Sequence, residues 1–200
     1  MRLRPKGKPD AQLYEVRKEA LSLFEKQAEL GHIDLYYGDQ TRISQQGYVP
    51  YGWQFDDESV FIEATKGKSI NCFGLLSRNN KFIYRNTEKN INSDFIIETL
   101  DALSLSVTTL TVVVLDNARP HTASKVKQLL GVWQSRGLYI FYLPPYSPHL
   151  NIIERFWKEV KEGLLKPSDY LTADTLFYAV DRICAAVGKD VFINFSKYLF

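Results

Sequence analysis

The sequence predicts an α/β protein: one mixed, five-stranded β-sheet with helices on both faces. Three observations carry that prediction. Two short strand-like runs joined by a polar turn come first, and strand and helix patterns alternate after them, so antiparallel pairing gives way to crossover connections. Residues 108–115 (TTLTVVVL) are continuous, β-branched and apolar, as a central strand covered on both faces requires. Finally, 45% of the 200 residues are hydrophobic, enough for one well-filled core in one domain.

The elements follow in order. Residues 1–9 (MRLRPKGKP) show no apolar periodicity, and residues 1–12 are expected to be a basic linker or arm, with the domain occupying 13–200. Asp10 offers a helix N-cap, Leu13, Val16, Ala20, Phe24 and Ala28 recur at helical spacing, and Gly31 ends the helix. Residues 33–38 (IDLYYG) predict a buried strand that stops at Asp39, followed by a loop containing Pro50 and Trp53. Residues 69–76 (SINCFGLL) and 81–85 (KFIYR) predict a hairpin across Ser77, Arg78, Asn79 and Asn80. Asn92 and Ser93 cap a helix that carries Phe95, Ile96, Leu100 and Leu103. The central strand then ends at Asp116. A single helix is expected from near Pro120 and His121, burying Val126, Leu129, Leu130 and Trp133 and ending at Gly137. Residues 138–143 (LYIFYL) supply the fifth strand. After Pro144 and Pro145 comes a helix with the stripe Ile153, Phe156, Trp157, Val160 and Leu164. A last helix begins near Thr172 and buries Leu176, Val180, Ile183 and Val187.

Charge says little in bulk, because the net value is only +2. Locally, residues 1–8, the Lys66-Gly67-Lys68 spot, and Lys158, Lys161 and Lys166 are basic. Cys72 and Cys184 fit no metal-binding spacing and are expected to be buried thiols in a reducing compartment. No apolar run is long enough to cross a bilayer and no signal peptide is present, so the chain is expected to be soluble and intracellular.

Three acids stand out. Asp39 and Asp116 are expected at the carboxyl ends of strands, where α/β sheets gather their ligands. Glu154 flanks the stripe of a later helix that lies on the sheet, and Asn151 shares its face. Three converging carboxylates repel and raise one another's pKa, and a bound divalent cation resolves the conflict. Hard oxygen donors favour Mg²⁺ or Mn²⁺. Each residue also has a plainer role. An aspartate after a strand is often a turn former, and Glu154 can pair with Lys158 four residues on. Asp34 rivals Asp39 but lies at the start of its strand. His121, Asn117 and Asn151 serve either local hydrogen bonds or contacts behind the ligands and to a substrate phosphate. Trp53, Tyr146 and Trp157 are read as packing residues rather than base-stacking platforms.

Residues 115–123 (LDNARPHTA) and 142–161 (YLPPYSPHLNIIERFWKEVK), preceded by 34–43 (DLYYGDQTRI), resemble the catalytic domain of DDE transposases, in the bacterial insertion-sequence branch of the mariner superfamily. The resemblance runs from about Leu13 onward. It implies a ribonuclease H-like fold, which agrees with the element order above. It places three catalytic, metal-binding carboxylates on Asp39, Asp116 and Glu154, and an Asp-Asn-Ala-x-x-His signature on Asp116, Asn117, Ala118 and His121. It implies two Mg²⁺ or Mn²⁺ ions, phosphodiester hydrolysis at transposon ends, and transfer of the freed 3′-OH into target DNA. The implied setting is the bacterial cytoplasm at the nucleoid, as a homodimer on paired DNA ends, with no membrane. Arg2, Arg4, Lys6, Lys158 and Lys161 are the candidates for contacts to the DNA backbone. Two positions depart from the family pattern: Gln40 stands where Glu is frequent, and Ile152 where Pro is frequent. The 37 residues from Asn117 to Ile153 make the spacing slightly long. No helix-turn-helix pair of the family's kind precedes Leu13, so an isolated catalytic domain is expected. Two other readings stand beside this one: a non-enzymatic DNA-binding remnant, and a ribonuclease H-like nuclease acting on other nucleic acids.

Overall fold

The computed structural model describes residues 10–45 and 67–195. Arg2, Arg4, Lys6, Pro50, Trp53 and Lys66 lie outside the described residues. Strands β1 (Asp34–Ser44), β2 (Ser69–Leu76), β3 (Phe82–Thr87), β4 (Thr111–Leu115) and β5 (Leu138–Tyr142) form one sheet in the order β3-β2-β1-β4-β5. β1, β2 and β3 pair antiparallel in succession, whereas β4 and β5 join parallel to β1 and to each other. The helices are α1 (Ala11–Glu29), α2 (Ser93–Ser106), α3 (Arg119–Thr122), α4 (Ser124–Ser135), α5 (Ile153–Glu159) and α6 (Ala173–Ala186).

The period-two alternation of the strands sorts side chains between two cores. Leu35 and Tyr37 of β1 and Val112 and Val114 of β4 face α1, α5 and α6. Tyr36, Val113 and Leu115 face α2 and α4. Helices therefore cover both faces, and β4 is buried on each side, as its unbroken apolar run predicted. Cys72 and Cys184 are free and buried. Among the described residues, no helix is long and apolar enough to cross a membrane.

Four local departures from the sequence reading have physical causes. β1 does not stop at Asp39. Its pairing with β4 ends at Gly38 and Leu115, but β2 continues to supply partners as far as Ser44 and Ser69. Thr41 and Ile43 stay buried, where a loop was expected.

Helix α1 begins as predicted, with the Asp10 carboxylate accepting from the Gln12 and Leu13 N–H groups at 2.9 and 3.2 Å. Gly31 ends it with φ +74°, a conformation glycine adopts freely. Its inward stripe keeps Ala20, Phe24 and Ala28 against the core but differs at its other positions. Leu21 and Glu25 are buried, while Leu13 and Val16 are exposed. Glu25 can occupy the stripe because the Tyr37 hydroxyl donates to it at 2.5 Å and Arg78 pairs with it at 2.6 Å. A satisfied buried carboxylate carries no apolar signal, so the pattern missed Glu25 on a face it otherwise located through Ala20, Phe24 and Ala28.

The single helix expected after Asp116 is split. Ala123 takes φ −58°, ψ 149°, between α3 and α4. The short α3 turns His121 back toward Asp116, while α4 aims Val126 and Trp133 at the sheet. One straight helix cannot present both.

The Glu154 helix starts at Ile153, and Asn151 stands just before it as the cap of a short turn over Pro148–Leu150. After Glu159 the helix widens into a π turn over Val160–Leu164, a feature common at functional sites.

Candidate active site

Asp39 lies where β4 leaves the side of β1. The parallel register pairs Gly38 with Leu115, so the next residues on the two strands are Asp39 and Asp116. Asp39 shares the parity of Leu35 and Tyr37 and points to the face covered by α5. Its antiparallel partner on β2 is Gly74. A Cβ there would stand 2.9 Å from Trp157 and 2.6 Å from Phe82. The missing side chain lets Trp157 and Phe156, both fully buried, lie directly on the sheet. That close seat brings the first turn of α5, with Glu154, over Asp39. Burying each aromatic contributes about 1.5–3 kcal/mol.

The electrostatics record the convergence. The Asp39 carboxyl is pushed up to about 8, first by burial and then by the charge of Glu154, with Asp116 adding and the Gln40 N–H and Lys161 opposing. Glu154 is raised by partial burial and by Asp116, again opposed by Lys161. Asp116 behaves differently. Partial burial raises it, but hydrogen bonds from His121 and the Ala118 N–H outweigh that and hold it below the usual carboxylate range. Acids from β1, from the end of β4 and from α5 thus share one field. As they stand, no three His, Cys, Asp or Glu side chains among the described residues are gathered tightly enough to cage an ion.

The polar residues around these acids are anchored. His121 is fully buried, and its Nδ1 stands 2.6 Å from Asp116 Oδ1. The same oxygen accepts from the Ala118 N–H at 3.0 Å, which leaves Asp116 Oδ2 outside both bonds. His121 Nε2 is buried without a partner. The Tyr142 hydroxyl fixes the His121 carbonyl at 2.8 Å. Asn117 Nδ2 donates to the Leu143 carbonyl at 2.6 Å, tying the end of β4 to the end of β5. Asn151 Nδ2 donates to the Gly38 carbonyl at 3.1 Å, just after the last residue pair with β4. Asn151 Oδ1 is buried with no partner. Asp34, the rival to Asp39, pairs with Lys81 at 2.9 Å at the other end of the strand.

The lysines divide. Lys158 does not pair with Glu154 but reaches Glu162 at 3.7 Å. Lys161 lies close enough to the acids to lower both Asp39 and Glu154.

A cavity of about 520 Å³ opens over Asp116, Asn117, Asn151 and Glu154, walled by residues 143–148. Trp157 is buried, as the packing reading required, but Tyr146 is not. It is 56% exposed at the cavity wall with φ +60°, because the turn between the prolines rolls it outward. No sequence pattern reports the sign of φ at a tyrosine, so the packing reading failed there. A second cavity, about 620 Å³, opens at the opposite end of the sheet, where Glu25 pairs with Arg78 and Asp34 with Lys81, and Glu29 adds a fifth charge.

The family profile described as DDE superfamily endonuclease matches residues 34–176. Among solved structures, the chain is similar to a Mos1 transposase paired-end complex with left transposon end, at 16% identity and a TM-score of 0.62, covering 93% of this chain and 58% of that one. It is similar to the Mos1 mariner paired-end complex with Mn at 15% identity and 0.59, covering 93% and 60%. It is also similar to the catalytic core domain of BIV integrase at 14% identity and 0.50, covering 82% and 92%. The chain thus spans less than two thirds of the length of the first of these. At such identities the likeness is one of fold, and the fold is the ribonuclease H-like one of integrase and transposase cores. No match is found among curated proteins.

Proposed function

Because this chain belongs to the DDE endonuclease superfamily, we propose that it is a transposase catalytic domain that cuts DNA at transposon ends and joins the freed 3′-OH to target DNA, with Asp39, Asp116 and Glu154 as its catalytic residues. The observation that carries the reading is the shared field of these acids. Asp39 and Asp116 directly follow the last register pair of β1 and β4, and Glu154 on α5 lies near enough for its charge to act on Asp39.

The donor set fits hard divalent cations. It offers carboxylate oxygens from three elements, and the buried Asn151 Oδ1 is an oxygen without a partner at the same cavity. Asp39, Asp116 and Glu154 would hold two Mg²⁺ or Mn²⁺ ions, which when bound supply activation of water and stabilisation of the departing 3′ oxygen. The Mos1 structures that include Mn and Mg are consistent with this choice.

The protein's own residues do the rest. His121, held by burial and by the Tyr142 bond to its carbonyl, fixes one oxygen of Asp116 and leaves the other for the cavity. Asn151 and Asn117 hold the strand ends that carry Asp39 and Asp116. Lys161 offers the nearby cation for a phosphate of the incoming strand, and Lys158 the more peripheral one. In the first reaction water displaces the 3′ oxygen from the scissile phosphate. In the second the freed 3′-OH attacks a target phosphodiester, so one site serves both and no covalent enzyme–DNA bond is required. The arm residues Arg2, Arg4 and Lys6 are proposed to follow the DNA backbone. A second copy of the chain on the other end is part of the same proposal.

The test is Asp116→Asn in a Mg²⁺-dependent nicking assay. The expected result is loss of cleavage with an unchanged circular dichroism spectrum. Cleavage at the parent rate would overturn the reading.

A further inference from the structure

Tyr146 is unusual in three ways at once. It is a bulky L-residue at φ +60°, in the left-handed region that such residues rarely occupy. It is 56% exposed, and among the described residues its ring and hydroxyl engage no hydrogen bond or stacked ring. It lines the cavity that Asp116 and Glu154 also line. Backbone strain persists only where the surrounding structure imposes it. Here the neighbours that impose it are known: Pro144 is buried, and Ser147 is buried with its hydroxyl bonded to the Pro145 carbonyl at 3.3 Å.

Asp116 and Glu154 line the cavity and reach solvent, whereas Asp39 is only 9% exposed behind them, so a phosphodiester that engages all three acids must press into the cavity. An intact duplex keeps its backbone on the outside of a stiff cylinder and cannot descend as far as a strand whose terminal base has been unpaired. A base that leaves the stack needs a new apolar face. Tyr146, beside the flat rings of Pro145 and Pro148, offers one next to the acids. Stacking on an aromatic ring tolerates every base, since each has a π-face.

We propose that Tyr146 is a positioning residue that stacks against one unpaired nucleobase next to the scissile phosphate, and so selects DNA ends that are open over ends that are fully paired. This rests on the transposase reading above.

The test uses forked and blunt DNA duplexes with 2-aminopurine at the unpaired position, and at the matching paired position in the blunt duplex, in Ca²⁺ so that the DNA stays uncut. Parent, Tyr146→Phe and Tyr146→Gly are compared. Glycine suits φ +60°, so its loss of the ring is not confounded by unfolding. The expected result is that parent and Tyr146→Phe quench the unpaired 2-aminopurine and bind the fork about tenfold more tightly than the blunt duplex. Tyr146→Gly should lose both effects while its blunt-duplex affinity stays within about twofold of the parent's. Equal quenching by Tyr146→Gly overturns the inference and leaves the transposase reading standing. So does a parent that binds both duplexes equally without quenching. A parent that binds neither duplex overturns both.

Discussion

Trp157 of α5 lies against Gly74 of β2 so closely that a methyl group on the glycine would stand 2.9 Å from the indole ring. Gly74 is also the strand partner of Asp39. One missing side chain therefore sets how near the helix of Glu154 comes to the strand of Asp39. In Gly74→Ala the helix must lift or the ring must turn. The expected cost is about 1–3 kcal/mol in urea unfolding. Stabilisation by Mn²⁺ should shrink as well, since Glu154 moves with the helix. An alanine variant with parent stability would show that the contact has room to relax.

Metal addition should raise the melting temperature. At a hundred times its Kd, a divalent cation that binds only the folded state stabilises by about 2.7 kcal/mol. Asp116→Asn should lose that response. Asp34→Asn, at the other end of β1 and paired with Lys81, should keep it. Equal responses from both variants would place the ion elsewhere.

The metal-free protein should lose stability as pH rises. The Asp39 carboxyl has a reference pKa of 3.8 and in the folded chain holds its proton to about 8. Between those values the folded state binds more protons than the unfolded one, so the free energy of unfolding falls with pH across that window. The shift of about four units bounds the loss at roughly 6 kcal/mol. Asp39→Asn removes the ionisable group and should flatten this part of the profile. In melting curves recorded in EDTA, the variant should gain on the parent at pH 8 and match it at pH 4. Parallel profiles would mean that Asp39 ionises normally.

His121 acts on Asp116 rather than on substrate, since it is fully buried with Nδ1 2.6 Å from the carboxylate. His121→Phe should fill the same space beside Phe73 and remove the hydrogen bond. Mn²⁺ affinity and cleavage should each fall about 10–100-fold with the fold retained. Unchanged Mn²⁺ affinity in calorimetry would show that Asp116 needs no such anchor.

Lys161 and Lys158 should separate in their salt dependence. Each phosphate contact contributes about 0.9 to the slope of log affinity against log salt on duplex DNA. Lys161→Ala should reduce that slope by about one. Lys158→Ala should change it less, because Lys158 is already turned to Glu162. Reversed effects would move the DNA path to the outer face of α5.

Much of this was legible in the sequence. The β-branched run before Asp116 specified a central strand because only a strand covered on both faces tolerates unbroken apolarity. The stripe of Ile153, Phe156, Trp157, Val160 and Leu164 specified which side of this helical segment meets the sheet: the first four are buried and Leu164 is half-buried against the core. Asp39, Asp116 and Glu154 were singled out as acids at the edges of such elements. The inward face of α1 was read in part: Ala20, Phe24 and Ala28 meet the core, but Glu25, satisfied there by Tyr37 and Arg78, was missed and Leu13 and Val16 are exposed. The end of β1 was misread because a strand stops only where it runs out of partners, and β2, far along the chain, still provides them.

What the sequence by itself determined is most of the elements and which acids stand at their ends, since apolar periodicity and residue chemistry are local properties of the chain. Only the tertiary structure decided that Asp116 shares an oxygen between His121 and Ala118, that Asn151 closes on Gly38, and that Tyr146 turns outward. Partners distant in sequence, and the hand of a backbone turn, are selected when the whole core packs. No window of residues contains that information.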